Sequence, residues 1–137
     1  MVKIYVAHSK KFDFKTELYS PLRESELNYE HDIILPHEYS DSLFSSKEFF
    51  RNECDLLVVE ASYPSTGAGI EAGWADAYDV QILVMHKKGS KLQSSMASMG
   101  EIIEYNSLDD MVNKLSEVLG SFNTQEISRS ELKKMRS

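Results

Sequence analysis

Short, nearly unbroken apolar runs recur along the chain, at 2–8 (VKIYVAH), 32–35 (DIIL), 55–60 (DLLVVE) and 81–86 (QILVMH), with a weaker one at 102–105 (IIEY). Runs of this length, rich in β-branched residues and without polar alternation, read as strands buried on both faces. The segments between them carry helical spacing. In 13–27, Phe14, Leu18, Leu22 and Leu27 fall near one helical face, and Pro21 inside that pattern predicts a kink or two short helical pieces. Residues 46–53 predict a short helix capped by Ser45 or Ser46. A further helix is expected from about Ile70 to Tyr78. Ser107 opens another, with Asp110 in the capping-box position and Met111, Leu115, Val118 and Leu119 on one face. HEYSDSLFSS (37–46) reads as a loop and KKGSK (87–91) as a turn.

Strand and helix therefore alternate, which argues an α/β fold with a parallel sheet and helices on both faces. Residues 1–120 read as a single domain, and 121–137 as a polar tail, loosely ordered or helical. In such folds ligands bind beyond the carboxyl ends of the strands, near the point where strand order reverses. The segments after Val6, Leu35 and Glu60 are thus the places to look for chemistry.

Charge narrows the choice of partner. With 15 Lys+Arg against 22 Asp+Glu the formal net charge is −7, which argues against binding duplex nucleic acid by counterion release. A phosphate on a small ligand remains open, because helix N-termini hold anions without net positive charge. Cys54 is the single cysteine, so no disulfide forms within the chain, and it reads as a small core residue. His8, His31, His37 and His86 show no metal-ligand spacing, so no metal is expected. No apolar run approaches the roughly 18 residues of a membrane span, and the charged N-terminal run reads as a strand rather than a signal peptide. A soluble cytoplasmic protein with no membrane partner is the expectation.

The segment 60–76 (EASYPSTGAGIEAGWAD) concentrates candidate chemistry. Gly67 and Gly69 fall where strand turns to helix, and Ser65 and Thr66 add hydroxyls, a small cradle suited to a phosphate or sugar hydroxyl. On spacing alone, a G-x-G reads equally as a tight turn with close helix–strand packing. Glu71 then falls in the first helical turn, either as an acid complementing the helix dipole or as the carboxylate nucleophile of a retaining glycosidase. His37 and Glu38 follow the second strand, as base contacts or as a polar loop. Trp74 and Tyr78, one helical turn apart, read as packing against the core or a subunit neighbour. No nucleophile elbow, P-loop or full dinucleotide fingerprint occurs.

The run 53–96 carries a resemblance. The pattern D-hhhh-E-x-S-x-P-S-x-G-x-G-h-E-x-G-x-A, with h apolar, is met at Asp55, Glu60, Ser62, Pro64, Ser65, Gly67, Gly69, Glu71, Gly73 and Ala75. The opening I-Y-V-A-H-S fits alongside, including Tyr5 and Ser9. In these residues the chain resembles the nucleoside 2-deoxyribosyltransferase family, above all its branch of 2′-deoxynucleoside 5′-monophosphate N-glycosidases. The resemblance covers roughly 2–105 and is strongest over 54–75.

It implies a flavodoxin-like or Rossmann-like doubly wound parallel sheet of five strands, cleavage of an N-glycosidic bond, no cofactor, and a homodimer or higher assembly. Glu71 matches the nucleophile that attacks C1′ of the sugar, and Tyr5 a tyrosine that orients that carboxylate. Ser65 matches the position facing the 5′ end, where the transferases tend to place a carboxylate. Serine there, with Gly67 and Gly69, favours a nucleotide over a nucleoside. Ser94 matches a serine lent to the phosphate site, often across the dimer interface. His8, Ser9 and His37 are the remaining substrate-binding candidates; Lys10 and Lys11 read as phosphate or base contacts, or as a solvated basic loop.

One position departs from the family pattern. Lys47 stands where an aspartate usually helps position the sugar or protonate the leaving base, and Asp41 or Glu48 are the candidates to replace it. Two other readings follow: a TIR-like NAD glycohydrolase, suggested by HSKKFDF, and a nucleotide-binding module with impaired catalysis, suggested by Lys47. Base, sugar, and hydrolysis against transfer stay open.

Overall fold

The computed structural model describes residues 1–39 and 46–125. The strands are β1 (Lys3–His8), β2 (Asp32–Ile34), β3 (Leu56–Glu60), β4 (Gln81–Lys87) and β5 (Glu101–Tyr105). They form one sheet in the order β2-β1-β3-β4-β5, and every pairing is parallel. All five strands expected from the apolar runs are present. The order reverses between β1 and β3, so the crevice for a ligand opens at their carboxyl ends, where His8 and Glu60 are cross-strand partners.

Alternate side chains of each central strand supply two cores. Ile4, Val6, Leu56, Val58, Leu83 and Met85 face one side and meet Leu18, Leu22, Leu27, Met111, Leu115 and Leu119. Those residues come from a π-helical turn (Lys15–Tyr19), α1 (Ser20–Glu24), α2 (Leu27–Glu30) and α6 (Leu108–Gln125). Tyr5, Ala7, Leu57, Val59, Ile82 and Val84 face the other side, toward α3 (Lys47–Asn52) and α4 (Thr66–Ala77). The remaining helix is α5 (Ser94–Ala97). A strand covered on both faces has no solvent side, which is why the runs lack polar alternation.

Pro21 divides its segment as expected. It sits in the first turn of α1, where its missing N–H costs no bond, directly after the π-helical turn. The α6 cap is a capping box displaced by one residue: Ser107 Oγ accepts the Asp110 N–H at 3.1 Å, and the Asp110 carboxylate accepts the Asn106 N–H at 2.8 Å. That helix runs on to Gln125, into the segment read from the sequence as a tail, loosely ordered or helical.

α4 corrects the sequence reading. It starts at Thr66, four residues before Ile70, and Ser65 is its cap, accepting the Ala68 N–H at 3.2 Å. Gly67 and Gly69 thus lie inside the helix, and neither has positive φ. Ala68, Ala72 and Ala75, at i, i+4 and i+7, bury against the sheet. Their small side chains let the helix approach closely, and that burial together with the cap outweighs the low helix propensity of glycine. Glu71 consequently stands in the second turn rather than the first.

Candidate active site

A cavity of about 980 Å³ opens at the carboxyl ends of β1 and β3, beside the first half of α4. Gly67, Ile70, Glu71 and Trp74 all line it, the i, i+3, i+4, i+7 stripe of one helical face. That stripe decides between the two glycines. Gly67 faces the cavity; Gly69, roughly 200° further round the helix, does not.

Glu71 is the centre of the site. Its Oε2 accepts hydrogen bonds from Tyr5 Oη at 2.6 Å and from Ser46 Oγ at 2.5 Å. Tyr5 rises from β1 beneath it, its ring held edge-on to Phe50 at 4.9 Å. Ser46 precedes α3 but makes no capping bond; its hydroxyl goes to Glu71 instead. Among the described residues Oε1 accepts no hydrogen bond, so one carboxylate oxygen is anchored and the other is available. Burial raises the pKa of Glu71, and the Ser46 and Tyr5 hydroxyls, which favour the charged form, pull it back. The Tyr5 phenol is driven well above its ordinary value, first by burial and then by the Glu71 charge, so it stays a donor.

A hydrogen-bond chain forms one wall. The His37 N–H donates to Tyr19 Oη at 3.0 Å, Tyr19 Oη donates to His8 Nε2 at 2.6 Å, and His8 Nδ1 donates to the Ser9 carbonyl at 2.8 Å. The carbonyl can only accept, so the His8 proton is assigned to Nδ1. Burial lowers the His8 pKa to about 4. His8 is therefore neutral, with both ring nitrogens engaged, and it meets a ligand through its ring rather than as the donor a phosphate would need. Ser9 Oγ accepts the Lys11 N–H at 3.0 Å, shaping the turn that puts Lys10 and Lys11 on the cavity wall.

The helix start forms the other end. Ser65, Thr66 and Gly67 line the cavity, and Ser65 caps with an acceptor lone pair, which leaves its hydroxyl proton to donate. Ser94 opens α5 and does not line the cavity of its own chain, although its neighbour Gln93 does. Lys47, at the expected aspartate position, lines the cavity with its ammonium 5.9 Å from the Trp74 ring centroid. Glu48 does not take over that place: it is exposed and bonds Asn52 at 3.1 Å. Asp41 and Ser45 lie outside the described residues. In a chain of net charge −7, the charged residues lining this cavity among those described are Lys10, Lys11, Lys47 and Glu71.

Other letters of the motif prove architectural. The buried Glu60 carboxylate accepts the Ser62 N–H at 2.6 Å, the Ser62 hydroxyl at 2.9 Å and the Tyr105 hydroxyl; Ser62 Oγ also accepts the Lys87 N–H at 2.8 Å. Asp55 accepts the Lys3 N–H at 2.8 Å. These bonds fix both ends of β3 and the loop leading to α4. Across the same loop the Lys87 ammonium pairs with Glu17 at 2.8 Å and lies over the rings of Phe12 and Tyr63, which stack at 4.8 Å. Sequence reasoning missed the Ser46 hydroxyl, the Lys47–Trp74 pair and this clasp, because each depends on which segments meet in space.

No family model matches the chain. A protein of Syntrophotalea carbinolica, whose inferred name is 2′-deoxynucleoside 5′-phosphate N-hydrolase 1, is 30% identical over 82 residues, 57% of this chain. That match takes in 58% of the relative's own length. Among solved structures, the CMP N-glycosidase of Clostridium botulinum superposes with a TM-score of 0.62 at 18% identity, over 83% of this chain and 98% of that one. At that identity the superposition speaks for the α/β fold. The sequence match is to a protein named in the branch that the 54–75 motif resembles, so the resemblance now stands on an aligned relative as well as on the motif.

Proposed function

We propose that this chain cleaves the N-glycosidic bond of a nucleoside 5′-monophosphate, with Glu71 as covalent nucleophile. One observation carries the reading: a buried carboxylate, anchored through one oxygen by two hydroxyls, in a cavity whose other charged groups, among the described residues, are lysines. Glu71 forms a bond to C1′, the bond from C1′ to the base nitrogen breaks, and its electron pair leaves with the base. Water then attacks C1′ of the ester and frees the carboxylate; in a transferase a second base would do so. The helix start at Ser65, Thr66 and Gly67, with Lys10 and Lys11 nearby, suits a 5′-phosphate. The names borne by the relative and the structural neighbour, one a 5′-phosphate N-hydrolase and the other a CMP N-glycosidase, support the same class. The reading extends to a homodimer in which one copy lends Ser94 to the other's phosphate end.

The test is base release, followed by chromatography, from a panel of nucleoside 5′-monophosphates, the parent nucleosides and NAD, each with and without an acceptor base. Free base from a monophosphate is the expected result. Exchange that needs the acceptor would make the chain a transferase. Nicotinamide from NAD would move it to the TIR-like class, and tight nucleotide binding without turnover would leave a binding module.

Removing either anchoring hydroxyl has a defined sign. Tyr5→Phe and Ser46→Ala each delete a hydrogen bond that holds the Glu71 pKa down. That pKa then rises, and the acidic limb of the kcat/KM profile moves to higher pH. A loss of about tenfold or more at neutral pH is expected for each, since an oriented hydrogen bond to a charge contributes ~1.5–3 kcal/mol. An unmoved acidic limb in both variants would show that Glu71 is not the group that must ionise.

A further inference from the structure

Resting on Glu71 as nucleophile, we infer that Lys47 and Trp74 form the subsite of the departing base, and that the Lys47 ammonium selects a uracil-type pyrimidine by donating to it as it leaves.

Position along α4 separates the ends of the substrate. Gly67, at the phosphate-suited start, lies about 6 Å along the helix axis from Glu71, and Trp74 lies about 4.5 Å beyond Glu71 on the same stripe. The base and the 5′-phosphate attach on either side of the sugar ring oxygen. With C1′ at Glu71 and the phosphate at the helix start, the base extends toward Trp74. Lys47 stands there, its ammonium 5.9 Å from the Trp74 ring centroid. It also directly follows Ser46, whose hydroxyl reaches Glu71 Oε2, so Lys47 starts within one residue of the reacting centre. Lys10 and Lys11, by contrast, come from the turn after β1.

The chemistry of an ammonium then sets the base. In uracil the glycosidic nitrogen adjoins the C2 carbonyl, and the electron pair of the breaking bond delocalises onto that oxygen. An ammonium there donates a hydrogen bond that strengthens as negative charge develops. Its proton passes to the base, and the proton released when water attacks the glycosyl ester restores it. A purine departs most readily after protonation of its ring, which makes it cationic, and a neighbouring ammonium opposes that charge.

Lys47 is exposed, so its variants should fold. With uridine- or deoxyuridine-type 5′-monophosphates, Lys47→Met is expected to lower kcat about 100-fold, with a much smaller rise in KM from the lost ground-state hydrogen bond to the base. The matching 5-fluorouracil nucleotide, whose base leaves without help, should lose less than about tenfold. Lys47→Asp should shift preference toward purines. Trp74 is the only tryptophan, so its fluorescence reports occupation of the subsite by free uracil without any turnover. Quenching by uracil in the wild type, weakened in Lys47→Met, is expected. If the wild type turns over nothing yet uracil quenches Trp74 in a Lys47-dependent way, the base subsite stands and the glycosidase reading falls. A Lys47→Met loss confined to KM, equal for both bases and absent on unphosphorylated nucleosides, would make Lys47 a phosphate contact and overturn the inference. So would unchanged kinetics, a wild type that prefers purines, or quenching indifferent to Lys47.

Discussion

Glu71→Gln is expected to lose base release by about 10⁴-fold or more, the scale on which enzymes lose activity with their nucleophile. Glutamine keeps the shape of the side chain, and its amide oxygen can still accept from Tyr5 and Ser46, which now meet at Glu71 Oε2. What disappears is the negative oxygen that bonds to C1′. Burial disfavours the charged carboxylate, so removing that charge should leave the melting temperature unchanged or slightly higher. Loss of activity with retained stability separates a chemical role from a structural one. Glu71→Ala offers a second check. Azide can enter the space left by the side chain and attack C1′ directly, giving a glycosyl azide of inverted configuration. Activity of Glu71→Gln within tenfold of the wild type would end the covalent reading.

Gly100→Ala should produce the largest loss of stability among glycine substitutions. A Cβ built at Gly100 would overlap the carbonyl oxygen of Ile82 and lie 2.8 Å from its carbonyl carbon. That backbone belongs to β4, which is paired on one side with β3 and on the other with β5. No flexible side-chain end can swing aside, so strands must part. Overpacking of this kind costs about 3 kcal/mol, and urea unfolding should show a lower midpoint with the same slope. Gly73→Ala is the control. It sits inside α4, where an added Cβ would meet nothing within 4 Å, and alanine there should stabilise by ~0.5–1 kcal/mol. Equal stability of Gly100→Ala and the wild type would show that β5 can shift freely against β4.

Much of this is legible one residue at a time. The apolar runs identify β1, β3 and β4 most clearly, because a strand covered on both faces must be apolar at successive positions; the edge strand β5, exposed at Glu101, Ile102 and Glu104, leaves the weaker run. The motif at 55–75 singles out Glu71 and Ser65, and the first strand Tyr5; the structure brings Tyr5 and Glu71 within 2.6 Å. The start of α4 is where local reading fails. Glycines at 67 and 69 look like a turn to local propensity, whereas alanines at 68, 72 and 75 commit the segment to a helix once a sheet lies beneath them. That error puts Glu71 in the wrong turn and makes Gly69 look like part of the cradle.

Sequence by itself determined the strands, the parallel class and the carboxylate at the centre, because each depends on a periodicity or motif contained in a single segment. The tertiary structure decided what that carboxylate touches. Ser46 and Glu71 are 25 residues apart, and Glu17 and Lys87 are 70 apart. Nothing in the local pattern of either partner encodes such a meeting. It follows from the order in which the strands pair, from α3 packing beside α4 on one face, and from the rotation of α4 that turns alanines to the sheet and Glu71 to the cavity.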